Sequence, residues 1–265
     1  MLQQIFYSFT LFFMSAISCL GQTYYAVHVQ GKIYNKTAAQ YLRCGDKVEH
    51  YDSLEFSSSA NWAVLVGDKG NLFLQNPSLL ESDAICYKVM QPIISSSSNT
   101  NNTKNIDNLQ AYFEGEQFVF IGNDFHLTLN AEQYPLSDSL FLIYRYEYNE
   151  RHITVKIPYT KQTLSFNPEV LYTYKGEKIP HQKTSNTSVY AFNAVDNMPY
   201  YAAKFNPIWL SDKLVKDELT VLKKVYLQQG KTLAQMNVDF FHYILDVYGK
   251  TDEAFLNQWI STHLK

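Results

Sequence analysis

Two tripeptides near the C-terminus, Gly230-Lys231-Thr232 and Gly249-Lys250-Thr251, spell the end of a phosphate-binding loop. That loop also needs a glycine five residues earlier, where Val225 and Ile244 stand here. The tripeptides therefore read as punctuation: a glycine closes one helix and a threonine caps the next. The seven histidines make no His-Glu-x-x-His and no pair at four-residue spacing, and a structural zinc site would draw on more cysteine. There is no Gly-x-Ser-x-Gly elbow, and no cysteine stands in a protease-like context. Asp252-Glu253 falls at a helix start, where the helix dipole favours carboxylates. These residues predict no catalytic group, cofactor, metal site or nucleotide. A glycosidase can nevertheless draw its two carboxylates from distant parts of a chain. A hydrolase or carbohydrate-binding site of dispersed carboxylates and tyrosines is thus the alternative to a non-catalytic protein.

The N-terminus bears on compartment. Leu11 to Leu20, LFFMSAISCL, is an apolar run too short to span a bilayer. Small residues at Cys19 and Gly21 suit cleavage after Gly21, making 1–21 a signal peptide. Ala16-Ile17-Ser18-Cys19 also resembles a lipobox, which would make Cys19 a lipidated residue. The expected location is exported, in the periplasm or associated with the outer membrane, with membrane contact only through such an anchor. Cys44 and Cys86 would then form a disulfide or remain as two buried thiols.

Net charge is -3 and no basic run occurs, so nucleic acid is not an expected partner. Tyrosine is abundant, with 21 residues. Its amphipathic ring suits half-buried strands and also sugar- and peptide-binding faces.

These features need elements to position them. From residue 24 to 92, short apolar runs alternate with Gly/Asp turns every 8 to 12 residues, the pattern of a small β-barrel or sandwich. The order is Val29-x-Gly31-x-Ile33, Leu42-x-x-Gly45-Asp46-x-Val48, Asp52-x-Leu54, Ala60-x-x-Ala63-Val64-Leu65, then a turn at Gly67 to Gly70. It resembles the periplasmic β-domain of FecR-like proteins and implies an extracytoplasmic β-module over 22–94. FecR-like sensors add a cytoplasmic segment and a membrane helix before that domain, so the resemblance does not imply an anti-sigma role. Residues 95–110 are rich in Ser and Asn and read as a linker.

Residues 111–206 form a second β-rich block. Leu140 to Tyr148 and His152 to Ile157 make a hairpin, with Ile153, Val155 and Ile157 alternating against His152, Thr154 and Lys156. An immunoglobulin-like β-sandwich is expected. Residues 207–265 change to helical period. Three stripes appear: Val215, Leu219, Leu222 and Tyr226; Leu233, Met236, Phe240, Tyr243 and Val247; Leu256, Trp259, Ile260 and His263. Ser211, Thr232 and Thr251 are the expected N-caps. The fold class is mainly β with a C-terminal helical unit, α+β and multidomain, ending in a three-helix segment.

Asp52-Ser53-Leu54 and Asp138-Ser139-Leu140 resemble the O-glycosylation signal of exported Bacteroidota proteins, which implies modification at Ser53 and Ser139. The expected function is a non-catalytic exported cell-envelope protein that binds or scaffolds other envelope proteins. Phe240 and Trp259 are expected to pack on each other or against the β-sandwich, or else to form its candidate interaction face.

Overall fold

In the computed structural model the described residues are 23–70, 72–75, 88–89, 105–115 and 117–264. The fold is mainly β with helices added, in two compact units. One unit takes residues up to Gln91 together with Asp217–Thr232. The other takes Pro92–Lys216 and Leu233–Lys265. The helical tail is therefore divided between the two.

The first unit is built on β1 (Thr23–Gln30), followed by β2 (Ile33–Asn35), β3 (Gln40–Tyr41), β4 (Lys47–Glu49), β5 (Leu54–Phe56), β6 (Trp62–Gly67), β7 (Leu72–Gln75) and β8 (Lys88–Val89). These form two open sheets, β4-β1-β6-β7-β8 and β3-β2-β5. An open edge is not a barrel, so the barrel alternative does not hold. Tyr24, Ala26, Ile33, Leu42, Val48, Ala63 and Leu65 make one small core. Gly31 allows the turn between β1 and β2. Its φ is +80°, and a Cβ there would lie 2.1 Å from Asn61 Oδ1. The Asn61 amide is already committed, donating to Lys32 O at 2.9 Å and Ser57 Oγ at 2.8 Å.

Val27, Val64 and Val66 are also fully buried, so β1 and β6 are covered on both faces. The helix α3 (Asp212–Gln228) supplies Leu219, Leu222, Val225 and Tyr226 to this unit's buried set. A buried pair fixes that helix to β1: His28 Nδ1 lies 2.7 Å from Glu218 Oε1. Gly230 closes the helix with φ +72°, and the next amide, of Lys231, donates back to Tyr226 O. That is the helix-ending role expected of the first Gly-Lys-Thr.

The second unit begins at α1 (Leu109–Tyr112), preceded by a bridge from Ile106 to Leu129. The end of the Ser/Asn-rich segment is thus part of this unit, with Leu109 buried in its core. Its remaining strands are β9 (Gln117–Ile121), β10 (Phe125–Thr128), β11 (Leu140–Tyr148), β12 (Arg151–Lys156), β13 (Tyr159–Thr160), β14 (Thr163–Phe166), β15 (Thr173–Tyr174), β16 (Glu177–Lys178), β17 (Ser185–Asn193), β18 (Met198–Lys204) and β19 (Asn206–Leu210). A short α2 (Pro168–Leu171) lies between β14 and β15. The helices α4 (Leu233–Val247) and α5 (Glu253–His263) finish the chain.

The sheets are β12-β11-β17-β18, β10-β14-β13, a parallel pair β19-β9 and the hairpin β15-β16. Asn149 and Glu150, both at positive φ, turn β11 into β12 with Tyr148 opposite Arg151. This two-residue turn twists in the sense that antiparallel strands require. A single aromatic core joins these sheets: Phe113, Phe118, Phe120, Phe125, Phe166 and Phe205 are all buried in it. Phe255 of α5 packs against the same core, so that helix is integral to the β-rich body.

Candidate functional site

A depression of about 400 Å³ opens on the second unit. That is within the usual size of small-molecule sites, roughly 300–1,000 Å³. Five local structures shape it: the Gly122-Asn123 turn after β9, α2, the β15–β16 hairpin, a 3-10 turn at His181–Lys183, and the β19 end leading into Ser211. Each has a local cause. Asn167 caps α2 by accepting from the Glu169 amide at 2.9 Å, and Pro168 follows at the first helical position. Lys175 and Gly176, both at positive φ, close the β15–β16 hairpin. Ser211 Oγ accepts from the Leu214 amide at 3.2 Å, capping α3 as expected.

Tyr172 forms the inner wall. Its hydroxyl lies 2.7 Å from the Tyr144 hydroxyl and accepts from Trp209 Nε1 at 3.3 Å. Trp209 is held flat by stacking on Phe120, 4.4 Å between centroids. The His181 ring stands 5.7 Å from Tyr172. Burial holds the His181 imidazole below its ordinary range, favouring the neutral form. Burial also raises the Tyr172 and Tyr144 phenols, and for Tyr144 the neighbouring Tyr172 adds to the effect. Both therefore stay protonated and serve as hydrogen-bonding groups.

At the rim Lys178 pairs with Glu169, the one carboxylate among the lining residues. Both are exposed, so the pair adds little stability. His181 Nε2 has the Gln182 amide 3.0 Å away. That neutral group cannot orient an imidazole as a carboxylate would in a nucleophilic triad. Asn123, Thr173, Gln182 and Ser211 provide further neutral donors and acceptors around the partly exposed Trp209 ring. The arrangement suits hydrogen bonding to a polar, uncharged ligand with an apolar ring face.

The residues singled out by sequence lie elsewhere. Phe240 is 0% and Trp259 5% exposed, so of the two expectations the packing one holds and the docking face does not: both are core residues. Trp259 Nε1 donates to Asp212 Oδ1 at 2.7 Å, and its ring stacks on His263. Thr251 is not the N-cap of α5. Asp252 holds that place, accepting from the Phe255 amide at 2.7 Å, while the buried Thr251 hydroxyl donates to Val119 O at 3.0 Å. Cys44 is exposed on the turn before β4, and Cys86 and Cys19 lie outside the described residues. Ser53 and Ser139 are both exposed. Beside Ser53, the buried Asp52 carboxylate accepts from Asn35 Nδ2 at 2.8 Å and the Glu49 amide at 3.0 Å, so this aspartate has a structural task of its own.

Among the described residues no three His, Cys, Asp or Glu side chains gather as a metal site. None of the helices among them is long and apolar enough to cross a membrane. The reading of Tyr172, His181 and Trp209 as one site was out of reach of sequence spacing, because they come from separate elements. The available signal was weak: a Trp and a Tyr, each with a polar handle, at the ends of apolar runs. No family model, characterised protein or solved structure gives a significant match to this chain.

Proposed function

We propose that this chain is an exported, non-catalytic cell-envelope protein whose second unit binds a neutral saccharide in the Tyr172–His181–Trp209 depression. The observation that carries the reading is the partly exposed Trp209 ring, fixed by stacking on Phe120 and backed by the buried Tyr172, standing among neutral polar side chains in one concave site. Sugars present C–H faces to rings and hydroxyls to amides and imidazoles, so both halves of the lining have a use. Hydrolysis of a glycosidic bond needs two carboxylates flanking it. The lining offers only Glu169, already engaged by Lys178, which supports binding over catalysis.

Within this proposal, residues 22–94 are a FecR-like module. Support comes from the antiparallel sheets and from the positive φ of Gly31, Gly45 and Gly70, three of the turn glycines in the resemblance. Residues 111–206 form a variant of an immunoglobulin-like sandwich, supported by antiparallel sheets sharing one core. Export, with a lipid anchor at Cys19 or cleavage before Gln22, rests on the leader pattern. Other envelope proteins are the expected assembly partners, and no cofactor is required.

The test is an array of neutral oligosaccharides probed with the mature chain and with His181→Ala and Gln182→Ala. At least one sugar should be retained by the parent and lost, about tenfold or more, in both variants. Retention of none, or equal retention by the variants, would overturn the proposal.

A further inference from the structure

The outer face of the β12-β11-β17-β18 sheet carries a second depression, of about 250 Å³. Strand alternation sorts the residues. Leu142, Tyr144 and Tyr146 point into the core, so Arg145 and Glu147 point out. Register places Glu147 opposite His152, Arg145 opposite Ser188, Ser188 opposite Lys204, and Tyr190 opposite Tyr201. The two tyrosine rings meet edge to face at 5.9 Å, and Tyr201 is 57% exposed. The Arg145 guanidinium lies 5.9 Å over the Tyr190 ring.

The charges here are unbalanced. Glu147 is occupied, accepting from Asn186 Nδ2 at 2.6 Å with His152 Nδ1 at 3.4 Å. Lys204 Nζ lies 3.5 Å from the Asn186 side-chain oxygen. Among the described residues, neither Arg145 nor Lys204 has a carboxylate within ion-pair distance. Two cations, one carboxylate (Glu147, held to Asn186 and His152), an exposed tyrosine and the polar Ser188 thus line one open groove, leaving an excess of positive charge.

We propose that this sheet face binds an acidic polysaccharide, its uronic carboxylates met by Arg145 and Lys204 and its sugar rings by Tyr201. The site is separate from the depression at Tyr172 and goes beyond the neutral-sugar reading. An acidic peptide fits less well. A peptide would bring its carboxylates on flexible side chains and has no repeated apolar ring face to set against Tyr201. The guanidinium fork matches a carboxylate, and a solvent-facing tyrosine matches the apolar face of a pyranose.

Isothermal titration of the mature chain with polygalacturonate tests the proposal. Methyl-esterified polygalacturonate and poly-L-glutamate serve as comparison ligands. Polygalacturonate should bind, with affinity falling as salt rises. Arg145→Gln with Lys204→Gln should weaken it by about tenfold or more, since charge-assisted contacts are the strong ones. Lys204→Glu alone, at an exposed position, should do the same at an unchanged melting temperature. Tyr201→Ala should weaken binding while leaving the salt dependence in place. Absence of binding, binding undiminished in the charge variants, or equal affinity for the esterified polymer or for poly-L-glutamate would overturn it. Neutral-sugar binding at His181 should persist in all these variants, so failure here and failure there are told apart.

Discussion

Tyr172→Phe removes one oxygen from the wall of the proposed sugar site and tests whether the phenol network is a real structural unit. That oxygen has three partners: the Tyr144 hydroxyl at 2.7 Å, the Trp209 indole N–H at 3.3 Å and the Thr184 side chain. Tyr144 is fully buried, so its hydroxyl cannot turn to water and is left with the Thr187 side chain alone. A buried group that loses its partner costs about 1–3 kcal/mol, against about 0.5–1.5 kcal/mol for an ordinary net hydrogen bond. The longer indole contact belongs at the low end of that range. Tyr172→Phe should therefore cost about 2 kcal/mol, and Tyr144→Phe a similar amount.

The double variant should cost less than the two together, by about 1 kcal/mol, because the second change removes a group the first left unsatisfied. The assay is urea denaturation of all four proteins, with the slope checked for constancy. Additive costs, or singles below about 0.5 kcal/mol, would refute the account of a coupled buried pair.

Other consequences follow from the same structure. Burial raises the Tyr144 and Tyr172 phenols above the ordinary value of 10.0 and Tyr146 to about 12. The folded state then keeps protons that the unfolded chain releases, so stability should fall as pH rises beyond about 10. Tyr146→Phe should flatten that fall in melting-temperature measurements. His181 carries the opposite sign: held below 6.5 by burial, it should lower stability as pH drops below about 6.5, and His181→Ala should remove that contribution. Gly122 sits at φ +72° with Asp212 Oδ1 2.7 Å from where a Cβ would be, and Trp259 pins that carboxylate. Gly122→Ala should therefore cost more than the roughly 1–2 kcal/mol of left-handed backbone alone, read by denaturation. Trp259→Ala should cost about 3–5 kcal/mol as a core truncation. An unchanged melting point would contradict its burial.

Local signals carried much of the architecture. Period-two alternation marked Ile153, buried, and Val155, partly buried against the same core, on β12, and helical spacing marked Val215, Leu219, Leu222 and Tyr226, all buried. The glycines at 230 and 249 have the positive φ expected of helix ends. Where two local rules competed, spacing alone could not choose. Thr251 and Asp252 are both good caps, and the buried carbonyl of Val119 takes the threonine. Leu233 continues a stripe yet is 59% exposed, because it stands at the first residue of α4. Long-range placement was the other gap. The division of the helical tail between two units and the meeting of Tyr172 with Trp209 depend on packing between distant segments. Neither leaves a periodic trace in the chain.

The central claim, that a neutral sugar sits against Trp209 and leaves unaltered, has a direct measurement. The chain has three tryptophans, so 5-fluorotryptophan labelling gives one fluorine signal each for Trp62, Trp209 and Trp259, assigned by Trp209→Phe. During titration with the sugar selected on the array, the Trp209 signal should shift to saturation. The other two should stay in place, and the sugar's proton spectrum should remain that of the intact molecule. A stationary Trp209 signal at saturating sugar, or cleavage of the sugar during the titration, would contradict the account.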